Sequence, residues 1–340
     1  MLIAGVKDAF GVRVAILPAA ESEARKVAAS ATRFVRQRFP ETPLRADIGP
    51  PPPDVAVVIG PDRHLLRILR EIPKETAILS VGDGFHSEVS PRGMTDALER
   101  LFRGEHWIED RLRLSVLVGA KSLAPALNDI ALTTSHGGGF LRYSLEVDGE
   151  RVWRDGGDGV VIATPTGSTA YGMSAGGPIV MESAEAIVIV PIASAEAQRP
   201  LVVSRNSTIR IGEIESRLGR DLVIDGQERS RLRANDFLVK ASGQPARLVR
   251  FGKAQYLRVF GKLRSKHGIP ELPAGLPPSA RFVFHILRDQ GPLTERQLIA
   301  ESGLPERTAR NALAHLEASE LIRKSRSLRD TREVLFSVSS

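Results

Sequence analysis

Residues 158–180 read DGVVIATPTGSTAYGMSAGGPIV, an apolar run that breaks into a turn crowded with hydroxyls and glycines. Such a turn offers main-chain N–H groups and small side chains where the polar atoms of a ligand approach closely. Two shorter clusters carry related chemistry, Asn128-Asp129 in ALNDIAL and Asp225-Gly226-Gln227. Carboxylates accept hydrogen bonds from vicinal hydroxyls, and side-chain amides pair with base edges or carboxamides. Taken singly, a glycine loop without lysine and an Asn-Asp turn at a strand edge are also ordinary surface structure. With no cysteine in the chain, thiol nucleophiles, zinc-thiolate centres and disulfides are excluded. Catalysis would rest on carboxylates, hydroxyls, amides, histidines or a loosely held metal.

Taken together and in order, Asp158-Gly159, the TPTGSTAY that follows, and then SAGGP closely resemble the signature of the NAD kinase family. Asn128-Asp129 resembles that family's Asn-Glu or Asn-Asp pair, and Asp225-Gly226-Gln227 its Asp-Gly-Gln turn. Residues 191–200, PIASAEAQRP, resemble a degraded form of its Pro-His-Arg-Pro stretch. The likeness runs over about residues 12–266, strongest in the middle. It implies an α/β N-terminal domain and a β-rich sandwich-like domain binding NAD, with ATP or polyphosphate as phosphoryl donor and Mg2+ arriving with the nucleotide. By position, Asn128 and Asp129 would hold a ribose, while Thr169, Ala170, Tyr171 and Ser174 would line the adenine or nicotinamide pocket. Asp158 and Gln227 would add polar contacts. The resemblance also implies a homo-oligomer whose sites borrow residues from a neighbour.

Phosphorylating a ribose hydroxyl requires a group that orients the alcohol and accepts its proton. In the family this group sits in a Gly-Gly-Asp-Gly-Thr motif after a buried strand. The corresponding place here, after DVAVVI, reads Gly60-Pro61-Asp62-Arg63-His64, which keeps the aspartate and changes three of the five residues. Proline removes one N–H from a loop that should cradle phosphate, and arginine tolerates positive φ poorly. Against this, Arg63 would supply phosphate-binding charge and His64 a donor. Asp62 is the expected base. Its rival is Asp83 in Gly82-Asp83-Gly84, although the place of that segment in the family order matches a later Gly-Phe loop with Phe85 as the aromatic.

The elements that must position these residues follow from the apolar pattern. Strands are expected at 12–17, 54–59 and 77–81 and helices at 21–39 and 65–72, an α/β domain over 1–110. Closely spaced short strands then suggest a β-rich domain over 111–266. The proline- and glycine-rich 267–278 reads as a linker. The remaining residues, 279–340, read as three helices and two strands, a winged helix-turn-helix. Thr294 with Gln297 forms a capping box, Gly303 closes that helix and Pro305 opens the next, whose Ala309, Ala312, Leu313 and Leu316 make a buried stripe. Arg307, Arg310, Asn311 and His315 would lie on the opposite face, and Arg323, Lys324, Arg326, Arg329 and Arg332 would form a basic wing over 321–326 and 332–338. This part resembles winged-helix regulators of the multiple-antibiotic-resistance kind, which implies DNA as a partner. The alternative is a dimerisation or substrate-capping module.

The chain has 340 residues, 42% hydrophobic and 26% charged, with a net charge of +7. Ordinary globular usage is expected, and the positive balance suits polyanionic partners or reflects an arginine-rich genome. No run approaches the roughly 18 apolar residues of a bilayer span, and the start lacks a basic region followed by a cleavage site. A cytoplasmic protein without a membrane partner is expected. Three functions remain open at this point: an NAD kinase, an NAD(P)-sensing DNA-binding regulator with a degenerate kinase core, and a kinase acting on a sugar or lipid alcohol.

Overall fold

The apolar runs near the N-terminus form a six-stranded sheet with helices on both faces. A computed structural model describes residues 12–135, 139–252, 275–326 and 333–339. The chain divides into two units, Met1–Leu263 and Arg264–Ser340. In the first, the strand order is β2 (Leu44–Arg45), β1 (Val14–Pro18), β3 (Val55–Ile59), β4 (Ala77–Val81), β18 (Ala246–Arg250) and β5 (Trp107–Arg111). All neighbours are parallel except β18 and β5. All five residues of β3 are buried, as in a strand covered on both faces. On one face lie α1 (Ser22–Arg38), through Ala24, Ala28, Ala31 and Val35, and α3 (Met94–Phe102). On the other, α2 (Asp62–Glu71) buries Leu65, Leu66, Ile68 and Leu69 against Ala15, Val58, Ile78 and Leu127.

Two differences from the sequence expectation bear on function. Helix α2 begins at Asp62 rather than at residue 65, because Pro61, with φ −71° and ψ 163°, is the cap from which the helix departs. Arg63 is therefore helical and needs no positive φ. Strand β18 lies inside the stretch assigned to the β-rich domain yet joins the first sheet beside β4. The two layers thus interleave along the chain instead of following one another.

The β-rich layer is a pair of six-stranded sheets. One has the order β10 (Glu150–Gly157), β9 (Leu141–Val147), β14 (Ile209–Ser216), β17 (Phe237–Ala241), β6 (Leu114–Val118), β7 (Lys121–Ser122). The other runs β13 (Leu201–Ser204), β12 (Ala186–Ile192), β11 (Gly159–Ala163), β8 (Asp129–Thr134), β15 (Arg220–Ile224), β16 (Glu228–Arg231). Val160 and Ile162 point into the common core with Leu114, Tyr143 and Ile211, while Val161 and Ala163 point outward with Val188 and Val190. The short helix α4 (Tyr171–Ser174) follows β11, and Ala175 and Val180 pack on that outer patch. Because β11 is covered on both faces, it reads as a continuous apolar run, and it holds the start of the following turn rigidly.

The second unit has α5 (Pro278–Gln290), α6 (Glu295–Ser302) and α7 (Glu306–Ala318), with a sheet of order β19 (Leu293–Thr294), β21 (Val334–Val338), β20 (Ile322–Arg326). The capping box forms, Thr294 Oγ1 accepting from Gln297 N–H at 3.3 Å and Gln297 Oε1 from Thr294 N–H at 2.9 Å. Gly303, at φ 62°, closes α6. Ala309, Ala312, Leu313 and Leu316 are buried, leaving Arg307, Arg310, Asn311 and His315 exposed. Arg310 is paired with Glu295 and Glu306, and Lys324 with Glu317 at 2.8 Å. Arg329, Arg332 and most of 267–278 lie outside the described residues. Among the described residues, no helix is long and apolar enough to cross a membrane.

Candidate active site

The Asn128-Asp129 turn is gripped from two sides. From one side comes the three-residue hairpin tip between β15 and β16, where Asp225 (φ 51°) and Gly226 (φ 65°) are the central pair of a β-turn closed by Gln227 N–H donating to the Ile224 carbonyl at 3.0 Å. Asp225 Oδ1 accepts from Asn128 N–H at 2.7 Å and Asp129 N–H at 3.4 Å, and Oδ2 accepts from Leu127 N–H at 3.2 Å. Its own N–H donates to the Asp129 carbonyl at 2.9 Å.

The opposing grip is the turn that follows β11. Thr164 donates its N–H to the Asn128 carbonyl at 2.9 Å and its hydroxyl to that of Leu127 at 2.6 Å, while Gly167 N–H donates to Thr164 Oγ1 at 3.0 Å. A Cβ on Gly167 would stand 1.9 Å from the Asn128 carbonyl oxygen, so only glycine permits this approach. Ser168 Oγ accepts from Val180 N–H at 2.9 Å and donates to the Pro165 carbonyl at 2.7 Å, closing the turn on itself. The hydroxyls that look ligand-facing in the sequence are therefore largely consumed in shaping the turn. Thr169 is one of them: its side chain is buried and its hydroxyl donates to the Thr166 carbonyl at 3.1 Å.

Two polar groups are left for chemistry. Asn128 is 7% exposed, and its Oδ1 is buried with no hydrogen-bond partner. An amide oxygen left in this state is costly unless something else completes it. Asp129 is 3% exposed. Burial, together with the charge of Asp225, pushes its carboxyl up to about 7, although Tyr171 N–H donates to it. Burial and the charges of Asp129 and Asp158 also raise the Tyr171 phenol. The fold thus brings together Asn128, Asp129 and Tyr171, with Ala170 half-buried beside them and the exposed Ser174 donating to the Ala170 carbonyl at 3.3 Å, while Asp158 lies beyond the far end of β11 from Asp129.

Gln227 is placed differently. Its Oε1 accepts from Arg70 Nη2 at 2.8 Å, and Arg70 also pairs with Glu228 at 2.9 Å. Its amide oxygen is occupied by a tie to α2.

Asp62 stands at the first turn of α2, where a carboxylate complements the helix dipole. Its Oδ2 accepts from Phe85 N–H at 2.8 Å and Oδ1 from His86 N–H at 3.0 Å. A Cβ on Gly84 would stand 2.1 Å from Asp62 Oδ1, so the loop closes tightly on the carboxylate. Asp83 is exposed and takes no part in these bonds. His64 is not a phosphate donor: it is buried, with Nε2 on the Leu17 carbonyl at 3.1 Å and Nδ1 beside Arg67 Nη2 at 3.2 Å, and burial lowers its proton affinity. Arg63 is exposed and paired with Glu21.

Sequence reasoning missed Arg111. It is 1% exposed, donates to Thr166 Oγ1 at 3.2 Å and Glu109 at 2.7 Å, and pairs with Glu182. Arg250 joins Glu109 and Glu88, both at 2.7 Å. Arg111→Met would remove a buried cation from this network and is expected to lower the stability of the fold by about 3 to 5 kcal/mol. Denaturant unfolding checks this, and an unchanged midpoint would show that the network adds nothing. The only sequence signal was an arginine on an otherwise alternating strand, which is weak.

Known proteins match this arrangement. The ATP-NAD kinase C-terminal domain matches residues 127–251. An NAD kinase of Methanopyrus kandleri is 37% identical over 216 residues, covering 62% of this chain and 77% of its own length. One of Methanothermobacter thermautotrophicus is 40% identical over 216 residues, covering 62% and 76%. Among solved structures, yeast NADH kinase complexed with NADH superposes with a TM-score of 0.67 at 22% identity, over 77% of this chain and 90% of that one. An Archaeoglobus fulgidus NAD kinase in complex with ATP gives 0.61 at 26% identity, over 74% and 99%. With relatives this similar over three quarters of their length, and with the Asn128, Asp129 and Tyr171 cluster built as described, the chain belongs to the NAD kinase family.

Proposed function

We propose that this chain is an NAD kinase, transferring the γ-phosphoryl group of ATP to the 2′-hydroxyl of the adenosine ribose of NAD to give NADP. The observation that carries the reading is the Asn128-Asp129 turn, which offers an unpartnered amide oxygen and a carboxylate side by side. Both accept from vicinal ribose hydroxyls. Tyr171, 40% exposed, offers a ring face to a base, with Ala170 and the Thr169 backbone forming the adjoining wall and Ser174 and Asp158 its polar rim.

In the reaction the ribose oxygen attacks the γ-phosphorus, the bond to the bridging oxygen breaks, and ADP leaves. Asp62 takes the hydroxyl proton. Each of its oxygens already holds one main-chain N–H, which fixes the carboxylate while leaving lone pairs for the alcohol. Among the described residues no three His, Asp or Glu side chains converge as a metal cage. Mg2+ would therefore be held by donor phosphate oxygens and water, where it offsets phosphate charge.

Incubating the purified chain with NAD, Mg2+ and either ATP or polyphosphate tests the reading and separates the donors. NADP formed with ATP supports it, and NAD binding without any turnover would move the chain to an NAD sensor.

Asp129 gives the site a pH dependence. Its carboxyl, raised to about 7, must be ionised to accept from two hydroxyls, so NAD affinity should rise with pH and level off above 8. If only the ionised form binds, the dissociation constant falls roughly tenfold between pH 6 and pH 8. The same raised value costs stability as pH rises from the ordinary carboxyl value of 3.8 to about 7, because the unfolded chain releases this proton first, and the loss levels off above about 7. Isothermal titration across this range checks the binding limb. Asp129→Asn should flatten it, and an unchanged limb in that variant would assign it to another group.

The second unit fits a winged helix whose α7 enters the major groove of DNA. The exposed Arg307, Arg310, Asn311 and His315, with Arg323, Lys324 and Arg326 on β20, carry that reading. Fluorescence anisotropy with duplex DNA at two salt concentrations tests it. Assembly into an oligomer, expected from the family resemblance, is tested by light scattering.

A further inference from the structure

We propose that Asp225 is a positioning residue for NAD: by accepting the main-chain N–H groups of Leu127, Asn128 and Asp129, it sets the turn from which Asn128 and Asp129 meet the ribose. The inference rests on the assignment of that turn to NAD.

The geometry is specific. Asp225 makes three bonds to consecutive main-chain donors, at 2.7, 3.2 and 3.4 Å, from a hairpin tip nearly a hundred residues away in the chain. Consecutive N–H groups converging on one carboxylate fix the local peptide planes, and hence the direction in which each side chain leaves the turn. The amide oxygen of Asn128 is then held inside the protein without a partner, poised for a donor from outside the chain. The hairpin tip is itself anchored. Arg70, at the C-terminal end of α2, grips Gln227 and Glu228 at 2.8 and 2.9 Å, while Asp62 occupies the N-terminal end of the same helix. Arg70 lies eight positions after Asp62 on the helix, roughly 12 Å along the axis. One rigid element therefore links the carboxylate that handles the proton to the tip that orients the ribose-binding turn.

The charge also matters to Asp129, whose proton affinity it raises. Neither oxygen of Asp225 is needed for contact with substrate in this arrangement, which distinguishes positioning from catalysis.

The test uses the full chain and three variants: Asp225→Ala, Asp225→Asn and Arg70→Met. Asparagine tolerates the left-handed backbone of this tip, so Asp225→Asn keeps the turn and one acceptor oxygen. NAD binding is measured calorimetrically without ATP, and KM for NAD and for ATP are measured separately. Asp225→Ala should raise the NAD dissociation constant by about tenfold or more, the size expected from losing hydrogen bonds to a charged acceptor. Asp225→Asn should recover part of the loss, Arg70→Met should raise it by less than Asp225→Ala, and KM for ATP should stay within about twofold in all three.

A folded Asp225→Ala that binds NAD as tightly as wild type overturns the proposal, as does an equal loss for ATP and NAD. If Asp225→Ala does not fold, unchanged NAD affinity in Asp225→Asn is decisive against it. Wild-type protein that fails to bind NAD would instead overturn the functional reading on which it rests.

Discussion

Asp62→Asn is expected to lower kcat for NADP formation by about 10² to 10⁴, the range associated with losing a positioned proton acceptor. The carboxamide fills the same volume and keeps one oxygen for the main-chain donors of the Phe85–His86 segment. Its NH2 group, however, meets the other N–H donor, so a stability loss of about 1 to 3 kcal/mol should accompany the change. The separation of effects is diagnostic. NAD affinity, carried by Asn128 and Asp129 on β8 and the turn before it, should change by less than about threefold. Asp83→Asn is the control: Asp83 is exposed and takes no part in the bonds that hold the loop, so its kcat should match wild type. Loss of turnover only in the Asp83 variant, or more than a tenth of activity retained in Asp62→Asn, would relocate the base.

Gly167→Ala should be nearly as damaging by another route. The added methyl would fall 1.9 Å from the Asn128 carbonyl oxygen and 2.4 Å from its carbon, and both belong to backbone already held by Thr164 and Asp225. Nothing flexible stands in the way to yield. The turn must move off the Asn128 peptide, breaking the Gly167 to Thr164 bond and displacing the segment that leads to Tyr171. A destabilisation of about 3 kcal/mol, at the upper end for overpacking, is expected together with loss of measurable NAD binding. Thermal unfolding and calorimetry on the same preparation check both. A variant with wild-type stability and affinity would show that the close approach is dispensable.

Much of the site was legible because several of its constraints are local. The Asp225-Gly226 pair announces a tight turn, since both positions take positive φ, and the run VVIA announces a strand covered on two sides. The Thr294 capping box and Gly303 mark their helix ends for the same reason: each partner lies within a few residues. The resemblance over residues 128–174 rested on motif order, and the family membership agrees with it.

Other features escaped because their partners are far apart in sequence. Nothing near Gln227 indicates that Arg70 will take its amide oxygen, and nothing near His64 that the Leu17 carbonyl will take its Nε2. The hydroxyls of Thr164, Ser168 and Thr169 look alike in a sequence, whether they face a ligand or brace a turn. Only the folded chain shows them bracing it. Likewise, the return of β18 to the first sheet cannot be read from an alternating apolar run, which fits either sheet equally well.

By itself, then, the sequence determined the elements, the order of the layers' main parts, and the turn that carries Asn128 and Asp129. These depend on backbone preference and apolar period, which act over a few residues. The tertiary structure decided which polar groups remain free for substrate and which are spent on the fold. That choice depends on burial and on hydrogen-bond partners 157 and 162 residues apart, as between Arg70 and Gln227 and between Arg250 and Glu88. It is why Asp225, named at first only as part of a turn, becomes the residue that aims the site.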